Sequence, residues 1–334
     1  MPTISTIGEF GLIHHIQKQF SKYVPRHITG IGDDCAVIPM NKKESFLVTT
    51  DLTNENIHFL RKHIQAEDLG YKALAVSLSD IAAMGGKPLY AFLSLALPLD
   101  IDVSWIQKFL RGFKSLALKH DVSLLGGDTT RSTSDITIDV MVIGTARPAA
   151  VKYRASAKSG DILCVTGLLG DSGGGLQCLL QNKRDSIFEK KLIQRHCRPR
   201  PHISEGQWLS KQKGVHAMMD ISDGIISDIQ RIREQSHCGI DIDLNQLPIS
   251  VELTRVAQKL KFNAREMAVT GGEDYCLLVS LDLHSFPSIA TNFKKKFAFP
   301  LTPIGHIRSY VSGISYYQHQ KKVSFLQPAF QHFK

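Results

Sequence analysis

Five short segments set carboxylates beside glycine, serine or threonine: Gly32-Asp33-Asp34, Thr49-Thr50-Asp51, Ser79-Asp80, Gly127-Asp128-Thr129 and Asp220-Ile221-Ser222-Asp223-Gly224. One such segment alone reads as a helix cap or an Asx-turn. Five of them in a chain with a formal charge of +9 point to convergence. Converged carboxylates repel one another unless cations neutralise them, and an all-oxygen donor set selects a hard ion, Mg²⁺ or Mn²⁺, over zinc. That is the arrangement needed to clamp a polyphosphate.

Other chemistries lack their signatures. No G-x-x-x-x-G-K-[ST] occurs, since Gly86-Lys87 runs into Pro88, and there is no protein-kinase set. Gly167-Leu168-Leu169-Gly170-Asp171-Ser172-Gly173 is not G-x-G-x-x-G and reads as a tight turn before a helix. No Ser/His/Asp triad can be assigned from spacing. Cys35, Cys164, Cys178, Cys197, Cys238 and Cys276 form no C-x-x-C pair and read as reduced, buried thiols.

The elements that must carry the acids follow from periodicity. Thr6 to Glu9 has capping-box spacing before Phe10, Ile13, Ile16 and Phe20, which predicts an opening helix with one apolar face. Strands are expected around Cys35 to Ile38 and Phe46 to Thr50. A helix carrying Leu69, Ala73, Val76 and Ala83 should stop at Gly85-Gly86 and hold Asp80. Ser104 with Gln107 predicts a second capping box, and Val122 to Leu125 a strand that runs into Gly126-Gly127-Asp128. Ile136, Ile138, Val140 and Val142 alternate with Thr137, Asp139 and Met141, the pattern of a half-buried strand. Beyond Pro148, strands at Ile162 to Val165, Val215 to Met219, Ile240 to Leu244, Tyr275 to Leu281 and Pro303 to Ile307 mix with helices at Gly175 to Leu180 and after Gly224. The class is α+β in two domains, 1–148 and 149–334.

The composition of the 334 residues, 43% hydrophobic and 21% charged, is that of an ordinary globular protein. The longest mainly apolar stretch, Leu89 to Leu99, is interrupted by Pro98 and is too short to span a membrane. Met1-Pro2-Thr3-Ile4-Ser5 lacks a secretory pattern, so a cytoplasmic location is expected. Basic residues are spread out, and Lys294-Lys295-Lys296 reads as a solvated face, so no nucleic-acid partner is expected. The positive charge suits an anionic small substrate.

Taken in order, the whole set closely resembles the thiamine-monophosphate kinase family. It comprises Gly30-Ile31-Gly32-Asp33-Asp34-Cys35-Ala36, Thr49-Thr50-Asp51, His58-Phe59, Lys72-Ala73-Leu74-Ala75-Val76, Leu78-Ser79-Asp80-Ile81-Ala82-Ala83-Met84-Gly85, Gly126-Gly127-Asp128-Thr129-Thr130, Asp220-Ile221-Ser222-Asp223-Gly224 and Gly271-Gly272-Glu273-Asp274-Tyr275. The superfamily also contains aminoimidazole ribonucleotide synthetase and selenophosphate synthetase. The resemblance implies an N-terminal ATP- and metal-binding domain whose sheet pairs across a homodimer, and a C-terminal domain that completes the cleft. It implies transfer of a phosphoryl group from ATP, the co-substrate, to thiamine monophosphate. By motif position, Asp34, Thr49, Thr50, Asp51, Asp80, Asp128, Asp220 and Asp223 resemble ligands of several Mg²⁺ ions. Gly127, Asp128, Arg154 and Ser222 resemble ATP contacts, and His58, Glu273 and Phe330 substrate contacts. Asp51, Asp128 and Arg154 are the residues implied to act in transfer.

Three departures from the family pattern stand out: Asn56 where glycine is common, Cys276 where an acid is usual, and Ala329 and Gln331 flanking Phe330. None removes an implied metal ligand. The runner-up reading keeps the superfamily and changes the substrate, to another small molecule activated by an ATP-dependent synthetase or kinase.

Overall fold

The computed structural model describes residues 3–309, 313–324 and 333. Its first half opens with α1 (Ile4–Phe20). A sheet follows, built from β1 (Ala36–Pro39), β2 (Ser45–Asn54), β3 (Lys87–Leu97), β4 (Ser123–Gly126), β5 (Thr129–Arg131) and β6 (Thr137–Ala146). The chain leaves β2 for α2 (Ala66–Ala83) and β3 for α3 (Val103–Lys119). Strand order is β1-β2-β6-β3-β4, with β5 also on β3; β4 and β5 run parallel to β3 and the other pairs are antiparallel.

The alternation read in β6 puts Ile138, Val140 and Val142 into the core while Asp139 faces the other way. Against that core lies α2. Its Leu69, Leu74, Leu78 and Ile81 are wholly buried, each contributing about 1.5–3 kcal/mol of apolar burial. Helix α3 approaches so closely that a Cβ on Gly112 would stand 1.7 Å from the Glu67 carbonyl oxygen, which only glycine avoids. The far side of α2 meets the second half of the chain.

That half contains α4 (Asp171–Leu180), α5 (Ile187–Cys197), α6 (Ile203–Leu209), α7 (Ile225–Gln235), α8 (Val251–Leu260), α9 (Ala264–Thr270) and α10 (Phe286–Phe297). Its strands are β7 (Ile162–Val165), β8 (Val215–Asp220), β9 (Gly239–Asp243), β10 (Leu277–Leu281), β11 (Thr302–Arg308), β12 (Ile314–Gln318) and β13 (Lys321–Val323), ordered β13-β12-β9-β11-β7-β10-β8. Strands β7 and β10 are buried at every residue. Among the described residues, no helix is long and apolar enough to cross a membrane.

Two sequence expectations need correction. Helix α1 begins after Thr3, with no capping bond from a side chain and a break at Gly8 (φ 66°), and it buries none of its residues. Phe10, Ile13, Ile16 and Phe20 stay 39–54% exposed. Periodicity locates an apolar face without saying what covers it, and here the helix is tied by isolated contacts. Gln17 Nε2 donates to the Ile31 carbonyl at 2.8 Å, and the Arg231 guanidinium lies 4.8 Å from the Phe10 ring centroid. The capping box at Ser104 is also absent, since α3 starts at Val103 after Asp102 without a side-chain cap. All six cysteines are free and buried, as read.

Candidate active site

The acids sit where apolar elements end. Asp220 is the last residue of β8, Asp80 lies in the last turn of α2, Asp51 lies within β2 opposite Val140, and Asp34 stands two residues before β1 begins. The halves meet here. One carboxylate oxygen from each of Asp34, Asp80 and Asp220 lies within 4.8 Å of the other two. Thr49 Oγ1 donates to Asp80 Oδ2, and Ser79 Oγ donates to Asp220 Oδ2 at 2.6 Å. Arg154, buried at 8% exposure, grips Asp34 through Nη2 and through Nε at 3.2 Å, and its backbone N–H donates to Asp33 Oδ2 at 3.2 Å.

So many buried carboxylates raise one another's pKa. Burial, then the charge of Asp34, pushes Asp33 up to about 7 and Asp220 up to about 7. Burial lifts Asp51 to about 6 against a hydrogen bond from Ser77, with Asp139 and Asp34 adding to the rise. Asp80 stands well above the usual carboxylate range, through burial and the charges of Asp51, Asp220 and Asp34. Burial opposes the charge on Arg154, yet the Asp34 carboxylate more than offsets this and holds its pKa above the ordinary value. Asp51 Oδ2 is buried without a hydrogen bond among the described residues. Clustered oxygen donors, raised pKa values and an orphaned carboxylate oxygen suit a divalent hard cation.

Other expected residues lie elsewhere. Thr50 Oγ1 donates to Asp139 Oδ1 at 2.6 Å, so it reaches an acid that the motif reading left on the polar face of β6. Asp223 pairs with Arg231 rather than joining the three acids. Asp128 is exposed between β4 and β5, where one carboxylate oxygen accepts the Thr129 N–H at 2.8 Å. Beside it Gly127 has φ 150°, and a Cβ there would lie 1.8 Å from the Leu93 carbonyl oxygen, so the turn admits only glycine.

The loop from Gly271 to Tyr275 packs on the Ser222 loop. Glu273 N–H donates to the Ser222 carbonyl at 2.7 Å and Tyr275 N–H to the Ile221 carbonyl at 2.9 Å. Glu273 and Tyr275 both have positive φ, 63° and 49°, an unusual pair for non-glycine residues. Asp274 anchors the other side by accepting the Gly170 N–H at 2.6 Å. Glu273 Oε1 is 2.8 Å from Lys72 Nζ and Oε2 is 3.4 Å from His196 Nδ1. Burial pushes the pKa of Glu273 up, but Lys72, His196 and then His58 more than reverse that and hold it below the usual value. Thus His58, whose Nδ1 accepts the Asn54 N–H at 2.9 Å, is within electrostatic reach of Glu273. Phe330 lies outside the described residues.

Residues 32–146 match the model of the AIR synthase related protein N-terminal domain, and residues 158–281 that of the corresponding C-terminal domain. The chain is 38% identical to thiamine-monophosphate kinase of Buchnera aphidicola subsp. Acyrthosiphon pisum, over 97% of this chain and 98% of that protein. The chain belongs to the thiamine-monophosphate kinase family. The Escherichia coli (strain K12) member is 36% identical, with 98% of each chain covered. A solved structure, AaThiL complexed with AMPPCP and TMP, superposes with a TM-score of 0.85 at 34% identity and covers 99% of both chains. One departure from the family pattern has a backbone explanation. Asn56 stands at φ 66°, a conformation that asparagine adopts more readily than most residues other than the common glycine, and its Nδ2 donates to Asp135 Oδ1 at 3.1 Å.

Proposed function

We propose that the chain phosphorylates thiamine monophosphate with ATP, giving ADP and thiamine diphosphate. The observation that carries this reading is the full-length likeness to a structure holding both AMPPCP, an ATP analogue, and TMP. The cleft agrees with it, since its buried oxygen donors come from both halves of the chain.

In this reading Asp34, Thr49, Thr50, Asp51, Asp80, Asp128, Asp220 and Asp223 hold several Mg²⁺ ions. Bound there, the ions neutralise phosphate charge and act as Lewis acids. Gly127, Asp128, Arg154 and Ser222 bind ATP, with the guanidinium fork of Arg154 suited to phosphate oxygens. His58, Glu273 and Phe330 hold thiamine monophosphate, Glu273 balancing the thiazolium cation. The nucleophile is a phosphate oxygen whose second pKa of about 6 leaves it largely ionised at neutral pH, so no general base is needed. Its attack forms a P–O bond to the terminal phosphorus of ATP while the bond to the ADP oxygen breaks. The protein's own task is to align two anions, with Asp51, Asp128 and Arg154 placed to do so.

The same proposal divides the chain at residue 148, with 1–148 binding ATP and metal and 149–334 completing the cleft. It includes a homodimer formed through the first sheet. Supporting this, β4 and β5 are exposed at every residue, with Leu124 46% and Leu125 56% exposed. A cytoplasmic location fits six free thiols.

The test is ADP release with Mg²⁺ and ATP, comparing thiamine monophosphate, free thiamine and no substrate, with the product identified by chromatography. Thiamine diphosphate formed only from the monophosphate supports the reading. ADP release without that product, or no turnover, overturns it.

A further inference from the structure

Lys72 lies in the middle of α2, 2% exposed, among leucines and alanines that need no charge beside them. Its buried ammonium lies 2.8 Å from Glu273 Oε1, and Glu273 is its one carboxylate at ion-pair distance among the described residues. A buried cation is costly unless paired, and an apolar side chain would fill the same space more favourably. The charge at position 72 therefore has to be explained by Glu273.

Glu273 comes from the other half of the chain, on a loop held in left-handed backbone conformation, with its side chain 26% exposed. On its second oxygen, His196 is the neighbour. Burial drives the His196 pKa down to about 3, so the ring is neutral, and its Nδ1 lies 2.9 Å from Ser172 Oγ. Lys72, 2.8 Å from Oε1, is thus the strongest positive influence on this carboxylate, ahead of His196 and His58. It also shares a helix with Asp80, eight residues further on, or about 12 Å along the axis. One helix therefore carries both a member of the acid cluster and the partner of Glu273.

We propose that Lys72 is a positioning residue that, acting through Glu273, fixes the thiamine end of the substrate relative to the acid cluster. This rests on the kinase reading above. Lys72 touches neither substrate nor reacting atoms, and its effect belongs in substrate affinity more than in the transfer step.

The test uses the full chain and measures KM for thiamine monophosphate, KM for ATP, kcat and thermal midpoint. The proteins compared are the unaltered chain, Lys72→Met, Lys72→Arg, Glu273→Gln and the double variant Lys72→Met/Glu273→Gln. The expected result for Lys72→Met is a rise of at least tenfold in KM for thiamine monophosphate, with KM for ATP within twofold. The double variant should be no worse than Glu273→Gln alone, and Lys72→Arg should fall between the unaltered chain and Lys72→Met. An unchanged KM in folded Lys72→Met, or losses that multiply in the double variant, overturns the proposal. If Lys72→Met does not fold, Lys72→Arg decides: a raised KM for thiamine monophosphate sustains the role and an unchanged one overturns it. No thiamine diphosphate from the unaltered chain defeats the kinase reading and this inference together, whereas an active chain indifferent at position 72 defeats the inference alone.

Discussion

Ser79 on α2 donates a buried hydrogen bond of 2.6 Å to Asp220 at the end of β8, joining the two halves of the chain at the acid cluster. Neighbouring Asp80 contributes directly to that cluster, so one helical turn supplies both a carboxylate and the clamp on another. Replacing Ser79 with alanine should cost about 1.5 kcal/mol of orientation at Asp220, roughly a tenfold rise in the Mg²⁺ concentration for half-maximal activity. A Mg²⁺ titration of turnover that overlays the unaltered protein would remove Ser79 from the site.

Asp128 is the opposite case, an exposed carboxylate that, among the described residues, bonds only its neighbouring amide. Asp128→Asn should abolish turnover while moving stability by no more than about 0.5 kcal/mol, the range for an exposed substitution. Normal turnover in this variant would take Asp128 out of the mechanism.

The raised pKa values predict a pH dependence for metal-stripped protein. Asp33 and Asp220 take up protons at about 7 and Asp51 at about 6 in the folded chain, against about 4 in the unfolded chain. Their contribution is fully present below pH 4 and is lost as pH rises through 6 and 7. Between pH 5 and 8, chelator-treated protein should therefore become less stable as pH rises, by up to about 1.4 kcal/mol per group per unit. Mg²⁺ should flatten this slope. Thermal melts across that range, with EDTA and with Mg²⁺, make the check, and parallel curves would argue against cation binding at these acids.

The exposed edge at Leu124 and Leu125 predicts an association that a charge would break. Leu125→Lys should shift the chain to half the apparent mass in size-exclusion chromatography. An unaltered mass would place any dimer contact elsewhere.

The sequence revealed the acids because each stands beside glycine, serine or threonine where an apolar run ends. Their convergence could only be inferred, since it depends on β8 of one half meeting α2 of the other. Asp139 escaped notice for a physical reason: on a half-buried strand it looks like any outward polar residue, and only pairing with β2 brings it to Thr50. Lys72 was hidden differently. A helix buried on nearly every side loses the contrast between faces, so a charged residue in it carries no periodic signal. Strand β3 gave an apolar run without a class, because its half-exposed positions carry apolar side chains as its buried ones do, so no period-two contrast shows. In α1 the apolar stripe was visible and its exposure was not.

Asp34 and Asp80 belong to one half of the chain and Asp220 to the other, yet their oxygens lie within 4.8 Å. Any ion they share is therefore a crosslink as well as a cofactor. Its binding free energy and the docking free energy of the halves form one linked equilibrium. A substitution far from the cleft that loosens α2 against β8 should therefore register as weakened cation affinity, and chelation should register as increased proteolysis around the junction between the halves.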